Sequence, residues 1–295
     1  MNGVLVIDKP QVLTSHDVVA AARRTLGETK IGHTGTLDPL ATGVLPLAIG
    51  RATRLVRFFA ASDKDYEATI RFGFATDTYD ISGREISRTD AVPAHENLVR
   101  ALQALTGEYL QPPPAFSAKK VGGRRAYELA RNKHAVALAP AAVRVARADL
   151  VSFSGGRAHV VLTCSAGFYV RSFAHTLGEL TGTGACLEAL RRTRSGEFRL
   201  ENAMGIPELS EPSRVASALI PLSALLHHLP AITVNSRGLE RVAHGRGLEA
   251  GDYECRPAAL SPAEWVRLLN VGGDLIGMGT PGSEPGSLHP AVVLM

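Results

Sequence analysis

Apolar and polar positions change their period along the chain, and each change marks an element. Val4-Leu5-Val6-Ile7 is a short apolar run stopped by Asp8-Lys9-Pro10, which predicts a buried strand running into a turn. Thr14-Ser15-His16-Asp17 precedes the run Val18–Ala22. A hydroxyl residue and an acid ahead of a helical run predict an N-cap, and the helix should stop near Gly27. Residues 31–50 keep no period: four glycines and two prolines thread through apolar residues. This predicts a tight loop containing His33 and Asp38, then a buried strand through Val44–Ile49. Residues 51–58 predict an amphipathic helix with one basic face.

Alternation over Tyr66–Gly73 predicts a half-exposed strand, and residues 75–90 a polar loop. Leu98, Leu102 and Leu105 mark a helix over 96–106. Gln111-Pro112-Pro113-Pro114 forces extended backbone. A basic stretch follows, then a short helix through Leu129 to Arg131. Strands are predicted over 143–153 and 157–164, a helix over Phe168–Leu180, and a short helix ending at Leu190-Arg191-Arg192. Residues 207–229, with Pro207, Pro212 and Pro221, read as a linker with helical turns. Short apolar runs separated by Gly and Pro in 231–295 suggest a small β-rich module.

Composition narrows the picture. The 295 residues are 45% hydrophobic and 20% charged, which supports about two folded domains. Net charge is +4, unevenly spread: residues 230–295 carry five Arg and seven Asp/Glu, so the excess belongs to residues 1–229. The excess alone identifies no partner, but any polyanion-binding surface belongs mainly to those residues. Cys164, Cys186 and Cys255 are far apart and odd in number, which argues for a reducing compartment without disulfides. The amino terminus has no basic n-region or cleavage signal, and no 18-residue apolar run occurs, so neither a secretory leader nor a membrane span is expected.

GxGxxG, GxxxxGK[ST], HExxH and GxSxG are absent, which weakens dehydrogenase, kinase and hydrolase readings. What remains is Asp38 in a rigid turn between apolar segments. A partly desolvated carboxylate there needs a cation to stay charged. Read alone, Asp38 is first an Asx-turn residue capping Leu40-Ala41. Arg171, early in a helix after Phe168-Tyr169-Val170, calls for a carboxylate partner. Lys119, Lys120, Arg124, Arg125, Arg131 and Lys133 form a cationic stretch beside Phe116 and Tyr127, a mixture suited to RNA backbone and bases.

Together these segments resemble one family. GHTGTLDPLATGVLP at 32–46 is similar to the signature of the TruB family of tRNA pseudouridine-55 synthases. GVLVIDKP at 3–10, Ser62–Tyr66, Gly167–Ser172 and Leu190–Thr193 resemble its other motifs, in order, over about residues 3–200. GRGL at 245–248 and the NVGGDLIGMG segment resemble the PUA-like module of bacterial members.

The resemblance implies an α+β pseudouridine synthase fold. A central, mainly antiparallel mixed sheet would carry flanking helices, and a small C-terminal PUA-like β-module would follow. The implied domains are 1–229, with a thumb-like basic insertion at about 112–135, and 230–295. The implied reaction isomerises uridine 55 in the T-loop of tRNA, after flipping it from the stack. Asp38 would be the essential carboxylate, acting either at C1′ or on the C2′ hydrogen. His33 would fill the vacated stack, and Tyr66 would stack on the flipped base with its hydroxyl near C5. Tyr169 and Leu190 would line the pocket, and Arg171 would pair with Asp38. Lys9, Lys119, Lys120, Arg124 and Arg125 are the expected RNA-backbone contacts. Neither cofactor nor metal is needed, because no atoms are lost. A cytoplasmic monomer acting on the tRNA T-arm without an obligatory protein partner is expected, with a tRNA-folding role able to coexist.

Overall fold

The computed structural model describes residues 1–116, 138–254 and 264–295, with two short backbone strands at 120–121 and 124–125. Strand β1 (Gly3–Lys9) is buried apart from Asp8. Helix α1 (Ser15–Leu26) opens with a capping box: the Thr14 hydroxyl accepts from the Asp17 N–H, and the Thr14 N–H donates to the Asp17 carboxylate at 2.8 Å. It closes on Gly27 at φ 62°, where a side chain would be strained. Strands β2 (Ile31–His33) and β3 (Thr42–Ile49) flank the glycine-rich loop, so His33 ends a strand rather than lying in that loop. A 3₁₀ turn leads into α2 (Val56–Ala60).

Strand β4 (Lys64–Phe72) is followed by the hairpin β5 (Phe74–Thr76) and β6 (Glu85–Arg88), where sequence suggested only loop. Next come α3 (His95–Ala104), β7 (Gly107–Gln111), the short strands β8 (Lys120–Val121) and β9 (Arg124–Arg125), β10 (Ala141–Ser154) and β11 (Arg157–Cys164). After α4 (Val170–Thr181), the chain enters β12 (Ala185–Ser195) and β13 (Phe198–Arg199). Leu190-Arg191-Arg192 thus lies in a strand, not at a helix end. Bulges at Leu187/Ala189 and Arg192/Arg194 disturb the two-residue period that would have revealed it.

The large sheet runs β14-β1-β3-β12-β4-β11-β10-β7, with β14 at Ile220–Pro221. Its ladders are antiparallel except β12 on β3, which is parallel at Arg191–Thr42 and Arg192–Gly43. One face packs against α1, α3 and α4 through Val18, Val19, Leu98, Leu102, Phe173 and Leu177. The linker reading of 207–229 is corrected here. Leu209 and Val215 join this core, Ile220 pairs with Val4, and Leu225 is wholly buried.

The last four strands, Ala231–Thr233, Val266–Leu269, Leu275–Pro281 and Leu288–Val293, form a separate sheet with its own core. A further cluster joins it to the large sheet: Val4, Val6 and Val44 meet Leu275, Met278 and Leu294. Arg57 lies 4.5 Å from the Trp265 ring, and Arg54 donates to the Val293 carbonyl. The basic face expected on residues 51–58 therefore turns towards the C-terminal sheet. Among the described residues no helix is long and apolar enough to cross a membrane.

Burial pushes the Cys164 and Cys186 thiols up to about 12 each. Unfolded thiols ionise near pH 8.5, so the stability they contribute is full below that and is lost as pH rises towards 12. Cys164→Ala with Cys186→Ala should flatten the alkaline fall in Tm. In the native protein neither thiol should take up iodoacetamide at pH 8, as peptide mapping would show. Labelling at either position would mean that these cores open.

Candidate active site

The loop between β2 and β3 is fastened from several sides. Ser15, at the start of α1, accepts from the Leu37 N–H at 2.8 Å and donates to the Leu37 carbonyl at 3.1 Å. Thr34 N–H donates to Pro46, and Val12 N–H to Pro39. Arg192 is 1% exposed and reaches under the loop from β12. It donates to the Val44 carbonyl at 2.7 Å and the Gly35 carbonyl at 3.1 Å. Leu37 and Ala41 sink into the core, while the Asp38 side chain stays 40% exposed. Burying its neighbours and using the loop's backbone groups aims the carboxylate at the opening.

Arg171 meets it. The apolar positions of α4 place Phe173, Ala174 and Leu177 in the core, leaving Arg171 in the first turn facing Asp38. Its Nε donates to Asp38 Oδ2 at 2.7 Å and its Nη2 to Oδ1 at 3.2 Å, a bidentate pair. Nη1 donates to the Thr78 carbonyl at 3.1 Å and Nη2 to the Phe116 carbonyl at 3.0 Å. Asp80 lies 3.8 Å from Nε. Its other oxygen accepts from Thr78 Oγ1 at 2.9 Å and Ser82 N–H at 3.0 Å. Only 6% of the Arg171 side chain is exposed, so this network is largely dry.

Strand alternation supplies the wall. Tyr66 and Leu190, each 8% exposed, stand on neighbouring strands β4 and β12. Burial raises the Tyr66 hydroxyl above its ordinary value, and the Arg192 charge pulls the other way. Lys64 donates to the Ala60 carbonyl at 2.6 Å, and burial pushes its ammonium down to about 8. Tyr169 caps the start of α4, its backbone held by Gln111. Asp38, Tyr66, Tyr169, Arg171 and Leu190 thus line one cleft of about 270 Å³, with Lys64 and Arg192.

Two expected residues stand apart. His33 is half-buried and outside that lining, its Nδ1 without a partner, and burial lowers its basicity. Lys9 needs correction as an RNA contact. It is wholly buried, and its ammonium donates to the Pro10 carbonyl at 2.9 Å and the Leu13 carbonyl at 2.6 Å. It braces the β1–α1 turn and presents no charge to a phosphate. Lys119 lies outside the described residues, as does most of the 112–135 insertion; Lys120, Arg124 and Arg125 are described in backbone only.

Sequence reasoning missed Asp80, Lys64 and Gln111, and gave Arg192 no role. Asp80 did carry a signal: Thr78-Tyr79-Asp80-Ile81-Ser82-Gly83 is a turn-forming run whose acid caps its own loop. A larger cavity, about 470 Å³, opens on the opposite face of β4 and β12 beside Glu67, Thr69 and His159. The buried ion network lies in the smaller cleft, which is therefore the candidate site. Among the described residues no cluster of His, Cys, Asp and Glu is placed to hold a metal.

Comparison with known proteins bears on this architecture. A family model described as TruB family pseudouridylate synthase (N terminal domain) matches residues 23–170. The chain is 43% identical to tRNA pseudouridine synthase B of Solibacter usitatus (strain Ellin6076), covering 100% of both. It is 46% identical to tRNA pseudouridine synthase B of Symbiobacterium thermophilum, over 83% of this chain and 82% of the relative. Among solved structures, a chain of the archaeal box H/ACA sRNP Nop10–Cbf5 complex superposes with a TM-score of 0.76 at 25% identity, covering 100% of this chain and 86% of that one. A chain of a Cbf5–Nop10–Gar1 complex gives 0.78 at 25% identity, covering 99% and 85%.

Fold and comparisons together define an isomerase of the pseudouridine synthase class, built on a mixed α+β fold. Within that class, the chain belongs to the TruB family.

Asp80→Asn keeps an acceptor for Ser82 and Thr78 but removes the charge that faces Arg171. It should slow pseudouridine formation by about tenfold, the effect of roughly 1.4 kcal/mol lost from the seating of Arg171. RNA affinity should hold. A variant with wild-type single-turnover rate would mean that Asp38 and the Thr78 and Phe116 carbonyls seat Arg171 without Asp80.

Proposed function

We propose that this chain converts uridine 55 in the T-loop of tRNA to pseudouridine, with Asp38 as the essential carboxylate. The observation that carries this reading is the bidentate Asp38–Arg171 pair at the mouth of a cleft walled by Tyr66 and Leu190. The likeness to proteins named tRNA pseudouridine synthase B supports the substrate.

The reaction breaks the uracil N1–C1′ bond, turns the base, and joins C5 to C1′. The C5 proton leaves and N1 gains one, so no atoms are lost and no cofactor is called for. A T-loop uridine must first leave its stack, at a cost of a few kcal/mol. Tyr66 can stack on the flipped uracil, and Tyr169 and Leu190 can hold its edges. Arg171 keeps Asp38 aimed at the ribose in a site whose dipoles are set before substrate arrives. Attack at C1′ and removal of the C2′ hydrogen both use that aim. With its hydroxyl raised by burial, Tyr66 suits stacking and donation better than proton abstraction from C5. Among the described residues lining the cleft, Asp38 is the one carboxylate that could take up that proton.

The PUA-like reading of 230–295 belongs to this proposal, as does the division at residue 229. So do a cytoplasmic location and action as a monomer. The structural neighbours are chains of Nop10–Cbf5 and Cbf5–Nop10–Gar1 complexes. The full-length likeness to tRNA pseudouridine synthase B favours an enzyme that needs no protein partner. A folding role on tRNA can accompany catalysis.

Site-resolved mapping of an unmodified tRNA transcript, incubated with purified protein alone, tests this. Conversion at the T-loop uridine is expected. Asp38→Ala and Asp38→Asn should abolish it while tRNA affinity stays within roughly tenfold, because phosphate contacts dominate affinity. Conversion by the Asp38→Ala protein would remove Asp38 from the mechanism.

Reversing the charge of Lys119, Lys120, Arg124 and Arg125 should flatten the salt dependence of tRNA binding, by about one unit of slope for each phosphate no longer neutralised. Lys9→Met should leave that slope unchanged, since its ammonium is internal. An unaltered slope in the fourfold variant would place the RNA-backbone contacts elsewhere.

A further inference from the structure

Gln111 ends the edge strand β7 and is 2% exposed. Its side-chain amide makes both hydrogen bonds of a strand pairing with one residue across from it. Nε2 donates to the Tyr169 carbonyl at 3.0 Å, and Oε1 accepts from the Tyr169 N–H at 2.8 Å. Tyr169 immediately precedes α4, whose first turn carries Arg171. The orientation of the amide is set by these two partners, since the reverse would oppose donor to donor.

The prolines after Gln111 extend the same interaction. Pro112, Pro113 and Pro114 hold their backbone extended and offer no N–H. Bonding to α4 must therefore use carbonyls, and it does. The Pro112 carbonyl accepts from buried Ser172 Oγ at 2.9 Å, and the Phe116 carbonyl accepts from Arg171 Nη2 at 3.0 Å. Residues 111–116 form a strut with the Gln111 amide at one end and, at the other, the Phe116 carbonyl that holds the Arg171 guanidinium.

We infer that Gln111 is a positioning residue. Its amide clamps the Tyr169 backbone and so sets the start of α4, placing Tyr169 at the cleft and Arg171 against Asp38. This rests on the reading of Asp38 and Arg171 as the reacting site. Gln111 touches no substrate; it acts through Tyr169 and Arg171. Its loss lowers the rate of the chemical step and leaves RNA binding almost unaltered.

Two substitutions divide the clamp. Gln111→Leu keeps the volume and has neither donor nor acceptor. Gln111→Glu keeps the acceptor, and its carboxyl donates to the Tyr169 carbonyl only when protonated. Gln111→Leu should slow single-turnover pseudouridine formation by about tenfold to a hundredfold, the effect of a shift of about 1 Å at a reacting group. Its RNA Kd should stay within about threefold, because phosphates set affinity. Gln111→Glu should be slow at pH 8 and recover relative to wild type as pH falls towards 5. Neighbouring Tyr109, its hydroxyl pushed up by burial, does not titrate in that range.

A Gln111→Glu loss equal at every pH, or a Gln111→Leu loss confined to Kd, overturns the inference. If Gln111→Leu fails to fold, Gln111→Glu compared with itself across pH carries the same test. A wild-type protein that forms no pseudouridine on tRNA would overturn the tRNA reading rather than the clamp. Amide exchange at Tyr169 then decides the clamp: protection lost in Gln111→Leu supports it, and unchanged protection overturns it.

Discussion

Everything in the cleft depends on where one guanidinium can go. Arg171 is nearly sealed from solvent, and a buried cation without full pairing costs several kcal/mol. It satisfies itself by gathering four segments: the Asp38 loop, the Thr78–Asp80 turn, the Phe116 carbonyl and its own helix. The cost of misplacing it acts on all four at once. Such a pair is weak evidence for stability, since apolar replacements often serve as well. It does specify geometry. Two carboxylates and two carbonyls must converge on one planar fork, which few arrangements of these loops allow.

The electrostatics of the cleft derive from three further buried cations. Lys9, Lys64 and Arg192 all donate to backbone carbonyls, and none forms an ion pair among the described residues. Burial pushes both lysines down to about 8, so near neutral pH their charge is only loosely held. The Arg192 guanidinium is the positive charge set directly beneath the Asp38 loop, against the Gly35 and Val44 carbonyls. Its field opposes the rise of the Tyr66 hydroxyl and adds to the lowering of His33. A nucleotide entering the cleft meets this potential in a setting with little water to screen it.

Much of this could be seen in the chain itself, and what could not has physical reasons. The strand before Asp8, the N-cap at the start of α1 and the helix after Gly167 depend on neighbours in sequence, and sequence reads them well. Asp38 stood out because glycine and proline around a carboxylate leave few conformations. Read by residues alone it is an Asx-turn candidate, and the catalytic role proposed for it rests on the family resemblance. Asp80 went unremarked because the partner that gives it meaning is Arg171, far along the chain. Lys9 was misjudged because lysine is usually exposed, and the two carbonyls that receive its ammonium come together only when the turn folds. Gln111 looked like the prelude to a proline run, although its amide completes a pairing that the prolines cannot.

One parallel contact explains why the site needs the whole sheet. Strand β12 pairs parallel to β3 at only two positions, Arg191–Thr42 and Arg192–Gly43. Gly43 sits at φ 97°, and a Cβ there would lie 2.2 Å from the Arg192 carbonyl oxygen. Any side chain would force the strands apart. That close approach brings Arg192 beneath the loop, where it ties Val44 to Gly35. The same strand presents Leu190 to the cleft, and its register against β4 sets Arg192 opposite Tyr66. A missing side chain at Gly43 thus determines the spacing between the loop that carries Asp38 and the wall that faces it. Preorganisation here is a matter of sheet register, completed during folding, before any RNA is bound.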